Sequence, residues 1–185
     1  MRAACIDIGS NTTRLLVADP AGHGLAEVHQ ERVFTRIGHG LGPDGAISAA
    51  KIREVVEVVC RQAALAVELG AGEIRGVATA AIRRAPNGEQ LLEAVAAAAG
   101  VQVTILSGED EARLAFRGAV LAHAQDAGAL LGVIDVGGGS SELVVGVVPD
   151  RVTWWASVEL GSGSLTERWL GSDPPTAAEL ARARS

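Results

Sequence analysis

One short motif occurs twice in this chain, 128 positions apart, and it limits the possible folds more than any other feature. Cys5-Ile6-Asp7-Ile8-Gly9-Ser10-Asn11-Thr12-Thr13 and Val133-Ile134-Asp135-Val136-Gly137-Gly138-Gly139-Ser140-Ser141 each bring an apolar, β-prone run to an Asp and then to small polar residues. Apolar runs follow at once, Leu15-Leu16-Val17 and Leu143-Val144-Val145, so each copy reads as a strand, a tight turn and a returning strand. Glycine lets backbone amides approach an oxyanion closely, and Ser and Thr hydroxyls add donors. The Asp offers a ligand for Mg²⁺ or an acceptor for its waters. Two such hairpins facing each other make a phosphate clamp, with Gly9, Ser10, Asn11 and Thr12 in one arm and Gly137, Gly138, Gly139, Ser140 and Ser141 in the other. A lone Asp-x-Gly turn is common in hairpins, whereas the repetition implies two related domains with a phosphorylated ligand in the cleft between them.

The 185 residues can bury a sizeable core. Hydrophobic content of 48% with only 3% aromatics builds that core from Ala, Val, Leu and Ile, as closely packed α/β layers require. Trp154, Trp155 and Trp169 lie late in the chain, and with no basic tract around them they read as packing residues rather than a base-stacking platform. A net charge of −6 argues against nonspecific binding to nucleic acid or an anionic membrane. It leaves room for a polyanionic substrate held by a local basic lining, for which Arg14, Arg83 and Arg84 are candidates. Cys5 and Cys60 show no metal-ligand spacing and read as buried apolar residues, and the histidines at 23, 29, 39 and 123 are scattered. Met1-Arg2 leads straight into a strand and no apolar run reaches membrane-spanning length, so a cytoplasmic location is expected.

Along the chain, residues 3–9 and 14–19 form the first hairpin and 25–34 a third strand, followed by a glycine-rich loop over 36–45. Ser48 caps a helix to about Leu69, which Gly70 to Gly72 end. A strand over 74–79, an Ala-rich helix over 89–99 and a strand over 101–106 come next. Ser107 then caps a helix reaching about Ala124, with an acidic first turn that suits the helix dipole. After a linker at 126–128 the second hairpin begins, and Arg151 to Val158 repeats the third strand. Only residues 161–185 follow, room for a helix or two. Gly161, Ser162 and Gly163 either reach the cleft or cap the helix near Leu165, and the cap is the reading preferred here.

Five segments in order resemble the exopolyphosphatase and guanosine pentaphosphate phosphohydrolase (Ppx/GppA) family of the actin-like phosphotransferase superfamily. They are I-D-I-G-S-N-T-T-R-L-L-V from Ile6, A-T-A-A-I-R-R-A-P-N-G from Ala78, L-S-G-E-D-E-A-R-L-A-F from Leu106, I-D-V-G-G-G-S-S-E-L-V-V-G from Ile134 and E-L-G-S-G-S-L-T-E from Glu159. The resemblance implies an α/β fold: an actin-like (ribonuclease H-like) domain with a mixed sheet flanked by helices over 1–125, then an incomplete second domain of the same type over 126–185. The rest of the family's second domain is expected to be absent, leaving a sheet with an uncovered face and edge.

On the same resemblance Glu111 orients or deprotonates the attacking water, with its pKa raised by nearby phosphates, and Arg83 grips the terminal phosphoryl oxygens. Asp135 and Glu142, catalytic in the same sense, would hold Mg²⁺ directly or through water, with Asp7 as the counterpart in the first motif. On sequence alone, a solvated carboxylate at a helix start is the preferred reading of Glu111, Arg83 reads equally as a surface residue, the Asp residues as turn formers and Glu142 as an exposed strand residue. The implied activity is Mg²⁺-dependent release of terminal orthophosphate from inorganic polyphosphate. The alternatives are hydrolysis of guanosine pentaphosphate at the same site and, in another class, a non-hydrolytic polyphosphate or alarmone binder or an inactive fragment. A homodimer is a further expectation of the resemblance.

Overall fold

The computed structural model describes residues 1–22, 24–42, 44–123 and 126–184. His23 and the expected helix end at Ala124 therefore lie outside the described residues. Alternation builds the first hairpin: in β1 (Ala3–Ile8) the side chains of Ala4, Ile6 and Ile8 turn inward, and in β2 (Thr13–Ala21) those of Thr13, Leu15 and Val17 do. β3 (Gly24–Val33) completes an antiparallel meander, with a bulge where β2 passes Val17 and Ala18. After a short 3-10 turn, Ile37–Gly40, helix α1 (Ala49–Glu68) begins at Ser48, whose Oγ accepts the Lys51 amide at 3.2 Å. Gly70, at φ 82°, ends the helix by letting the Gly70 and Ala71 amides bond back to the Val67 and Ala66 carbonyls.

β4 (Glu73–Ala78) returns parallel to β1, and β5 (Val103–Ile105) parallel to β4, giving the sheet order β3-β2-β1-β4-β5. α1 and α3 (Gly88–Ala99) cover one face, where Ile6, Ile8, Leu15, Val17, Val55, Val59, Leu91 and Val95 make the main core. Between β4 and α3 lies a helix that the sequence pattern does not announce, α2 (Ala80–Arg84), opened by Thr79. It is too short to show a period. Tertiary burial of Ala80, Ala81 and Ile82 holds it.

α4 (Gly108–His123) leads to the second hairpin, β6 (Leu130–Val136) and β7 (Ser141–Val147), and to β8 (Arg151–Val158). These strands form an antiparallel sheet in the order β6-β7-β8. The apolar stripe of α4, Ala112, Phe116 and Val120, packs on Val144 of this sheet and on Val148 just past the end of β7, so α4 contributes to the second core. α5 (Ser162–Trp169) and α6 (Ala177–Arg184) follow. Between them the Glu179 carboxylate accepts the Gly171 and Thr176 amides and the Ser172 and Thr176 hydroxyls, which hold its pKa down at about 2.

The two hairpins share one register: Asp7 opposes Arg14 and Asp135 opposes Glu142, while Ile8 opposes Thr13 and Val136 opposes Ser141. Their surroundings differ. Ile6 and Ile8 are fully buried under α1 and α3, whereas the equivalent Ile134 and Val136 are 72% and 61% exposed, on the expected uncovered face. Two expectations change. Cys5 is exposed, at an open apolar depression that it shares with Leu16, Val77 and Leu114, and Cys60 on α1 is only half-buried. Trp154 and Trp155 are exposed rather than packed inside. Among the described residues no helix is long and apolar enough to cross a membrane.

The second core rests on one absent side chain. A β-carbon at Gly146 would lie 2.6 Å from the Phe116 ring and 2.8 Å from the Arg151 carbonyl. Gly146→Ala is expected to destabilise the fold by about 1–3 kcal/mol through overpacking, read as a lower denaturation midpoint with an unchanged m-value.

Candidate active site

Each hairpin turn closes with the same hydrogen bond: the Gly9 amide donates to the Thr12 carbonyl and the Gly137 amide to the Ser140 carbonyl, both at 2.9 Å. A strap behind each turn fixes its peptide planes. Behind the first, the amides of Gly38 and Arg36 bond to the carbonyls of Ser10 and Asn11. Behind the second, the Ser162 amide bonds to the Gly137 carbonyl, and those of Gly163 and Ser164 to the Gly138 carbonyl. In a trans peptide the carbonyl of one residue and the amide of the next point in opposite directions. With the carbonyls drawn back onto the straps, the amides of Asn11, Thr12, Gly138 and Gly139 face the cleft. That is an anion cradle made of backbone.

The two turns touch. A β-carbon on Gly138 would meet that of Asn11 at 2.6 Å, and one on Gly139 would meet the Ser10 hydroxyl at 2.6 Å. Gly161, in the second strap, packs so closely that its β-carbon would lie 2.4 Å from the Gly138 carbonyl carbon. Gly161 to Gly163 therefore do more than cap α5: they hold the second turn in place. The signal for this is in the sequence, because Gly38-His39-Gly40 and Gly161-Ser162-Gly163 each follow a third strand.

One polar cleft is lined by Asp7, Gly9, Ser10, Asn11, Thr12, Glu111, Asp135, Gly137, Gly138, Gly139, Ser140 and Glu142, with Arg14 and Thr79 beside them. It brings together every residue expected in the clamp except Ser141, whose hydroxyl donates to the Leu160 carbonyl at 2.5 Å. Thr79 lies in the segment that begins at Ala78, and the sequence gives it no role of its own. Of the three candidate arginines, Arg14 lines the cleft. Arg83 lies behind Glu111, and Arg84 sits on the far side of the turns near Glu159, at 3.5 Å.

Three carboxylates crowd the first turn of α4, and the structure separates their tasks. Glu109 pairs with Arg113 one turn on. Asp110 forms a reciprocal cap with Ser107, accepting its hydroxyl at 2.6 Å while its own amide donates to that oxygen. Glu111 remains, turned to the cleft and paired with Arg83, which also donates to the Leu106 carbonyl at 2.5 Å. Burial pushes the Glu111 pKa up; Arg83 opposes the shift, and Glu142 and Asp7 add to it. The phosphates invoked from the sequence are not needed for a raised value.

Asp7 behaves similarly. Burial raises its pKa, Arg14 opposes the rise and Asp135 reinforces it, and Oδ1 is buried with no hydrogen-bond partner. Glu142 is buried, and its Oε1 accepts the Ser157 hydroxyl at 2.8 Å. The donor set, carboxylates and backbone, suits a hard divalent cation and anionic oxygens. Among the described residues no three Asp, Glu, His or Cys cluster closely enough to enclose a metal ion by themselves.

A profile of the Ppx/GppA phosphatase family matches residues 16–185. Exopolyphosphatase 2 of Mycobacterium tuberculosis is 38% identical over 193 residues, covering 99% of this chain and 59% of the relative. Exopolyphosphatase 1 of Mycobacterium bovis is 34% identical over 186 residues, covering 100% of this chain and 53% of the relative. The crystal structure of the Aquifex aeolicus Ppx/GppA family member superposes with a TM-score of 0.80 at 33% identity, covering 98% of this chain and 58% of that one. The chain thus spans somewhat more than half the length of these relatives, and its fold is actin-like. Sequence and architecture agree along almost the whole chain: it belongs to the Ppx/GppA phosphatase family.

Proposed function

We propose that this chain carries the catalytic cleft of an exopolyphosphatase, which hydrolyses the terminal phosphoanhydride of inorganic polyphosphate and releases orthophosphate. The observation that carries the reading is the convergence of both turns, Asp7, Asp135, Glu142 and Glu111 on one cleft, with Arg83 paired to Glu111 from behind. The names of the mycobacterial relatives agree with it.

The amides of Asn11, Thr12, Gly138 and Gly139 hold the terminal phosphates in a fixed orientation. Glu111 accepts a proton from water as the water oxygen bonds to the terminal phosphorus and the bridging P–O bond breaks. Orthophosphate and a chain shorter by one phosphate result. Arg83 holds Glu111 in place and favours its ionised form, so its first role here is positioning. The residues fit Mg²⁺: the unpartnered Asp7 Oδ1 is a vacant hard ligand, and Asp135 and Glu142 line the same cleft. A cation held there with few protein ligands would keep waters and share phosphate oxygens, neutralising charge that develops on the phosphoryl group.

The primary test is orthophosphate release from long-chain polyphosphate and from guanosine pentaphosphate, with Mg²⁺ and with EDTA. Glu111→Gln is expected to lower turnover by about 10²–10⁴-fold while still binding tripolyphosphate. Release that ignores this substitution overturns the reading, and release from guanosine pentaphosphate alone replaces its substrate.

Burial raises the Asp7 pKa in the folded protein, so the ionised form at neutral pH opposes folding, and Asp7→Asn removes that penalty. The variant is expected to melt a few degrees higher without metal. Mg²⁺ is expected to raise the midpoint of the parent protein and leave that of the variant unchanged, as scanning calorimetry can measure.

Glu111 must be ionised to take a proton, so activity rises with pH through its pKa, above the ordinary Glu range. Arg83→Gln removes the group that lowers this pKa. The acid limb of the kcat/KM profile is expected to move to higher pH, together with a fall in the plateau.

A further inference from the structure

The register of the first sheet sets two arginines face to face. Asp7 of β1 opposes Arg14 of β2, and Arg14 opposes Arg32 of β3, so a charged row runs from the cleft to the edge of the sheet. Like charges directly opposite each other destabilise a strand pair. Arg32 gains no relief from a carboxylate, for it forms no ion pair among the described residues, and the acid facing Arg14 is Asp7 inside the cleft. Arg14 lines both the cleft and a shallow depression that it shares with Gln30 and Arg32.

The row continues past the strand. Phe34 is exposed, and the guanidinium groups of Arg32 and Arg36 lie 5.2 Å and 6.0 Å from its ring centroid. Arg36 also forms no ion pair among the described residues. It alone among the described non-glycine residues has a positive φ, 46°, and its amide is bonded to the Asn11 carbonyl at 2.9 Å. The first phosphate turn thus fixes where this arginine stands. In a chain of net charge −6, an exposed row of arginines, two of which form no ion pair among the described residues, is a local feature, not the overflow of a basic surface.

We propose that Arg14, Arg32 and Arg36 form a binding track for the inner phosphates of a polyphosphate chain whose terminal phosphates occupy the cleft. The inference rests on the reading of the cleft given above and adds to it a route for the rest of the substrate. Opposed side chains in neighbouring strands start about 4.5–5.5 Å apart, close enough for the long arms of Arg14 and Arg32 to reach one linear polyanion together. Phe34 serves as the platform that keeps Arg32 and Arg36 extended.

The test is binding of tripolyphosphate and of long-chain polyphosphate to the whole chain with Mg²⁺, by titration calorimetry at two salt concentrations. Arg32→Gln with Arg36→Gln is compared with Arg32→Lys with Arg36→Lys, each checked for folding by circular dichroism. The glutamine pair is expected to weaken long-chain binding by about tenfold and flatten its salt dependence, leaving tripolyphosphate binding unchanged; the lysine pair is expected to retain long-chain binding. Equal long-chain affinity in the glutamine pair and the parent, with tripolyphosphate still bound, overturns the track and leaves the cleft reading intact. Failure of the folded parent protein to bind either ligand overturns both.

Discussion

The contact between the two turns is the constraint on which the rest depends. Gly138 lies against Asn11 and Gly139 against Ser10 at distances that leave no room for a side chain. The turns can therefore meet at backbone separation, and the residues that precede and follow them, Asp7 and Arg14 on one side and Asp135 and Glu142 on the other, reach a common space. The straps maintain this geometry. Because Gly161 presses on Gly138 from behind, and the amides of Gly38 and Gly163 each draw back a turn carbonyl, the cradle is set before any ligand arrives.

Such a site opposes the fold that carries it. Three of its carboxylates come from separate strands and a fourth from the start of α4, and burial and mutual repulsion push two of them toward protonation. Two separate cores resist that strain, one under α1 and α3 and the other between α4 and the second sheet. The cleft is polar, poorly paired and held from outside, the condition in which a cation and an anionic ligand gain most by binding.

The hairpins, the third strands, α1, α3 and, Ser141 excepted, the turn residues that line the cleft were legible in the sequence because each follows a period or a turn signal. The helix Ala80–Arg84 was not, since five residues cannot display a helical period and only burial makes them one. The division of labour among Glu109, Asp110 and Glu111 was also hidden: three acids in a row look alike until their partners are known. The family resemblance singled out Glu111, and of the three it is the one that lines the cleft. The exposure of Cys5, Trp154 and Trp155 was not legible either, because a hydrophobic residue in a strand carries no sign of whether its sheet face is covered. The strap glycines were visible as a repeat, yet their closeness to the turns could emerge only in three dimensions.

The duplication is broken at one position that matters. Arg14 and Glu142 occupy the same register in their hairpins, each opposite the Asp of its own motif. Two identical arms would give the cleft a twofold symmetry, and a linear anion would find its two directions equivalent. Here one wall carries a guanidinium where the other carries a carboxylate, so an entering anion is attracted along one side and repelled along the other. A copied motif provides the two jaws, and a single charge reversal between the copies gives the cleft a front and a back.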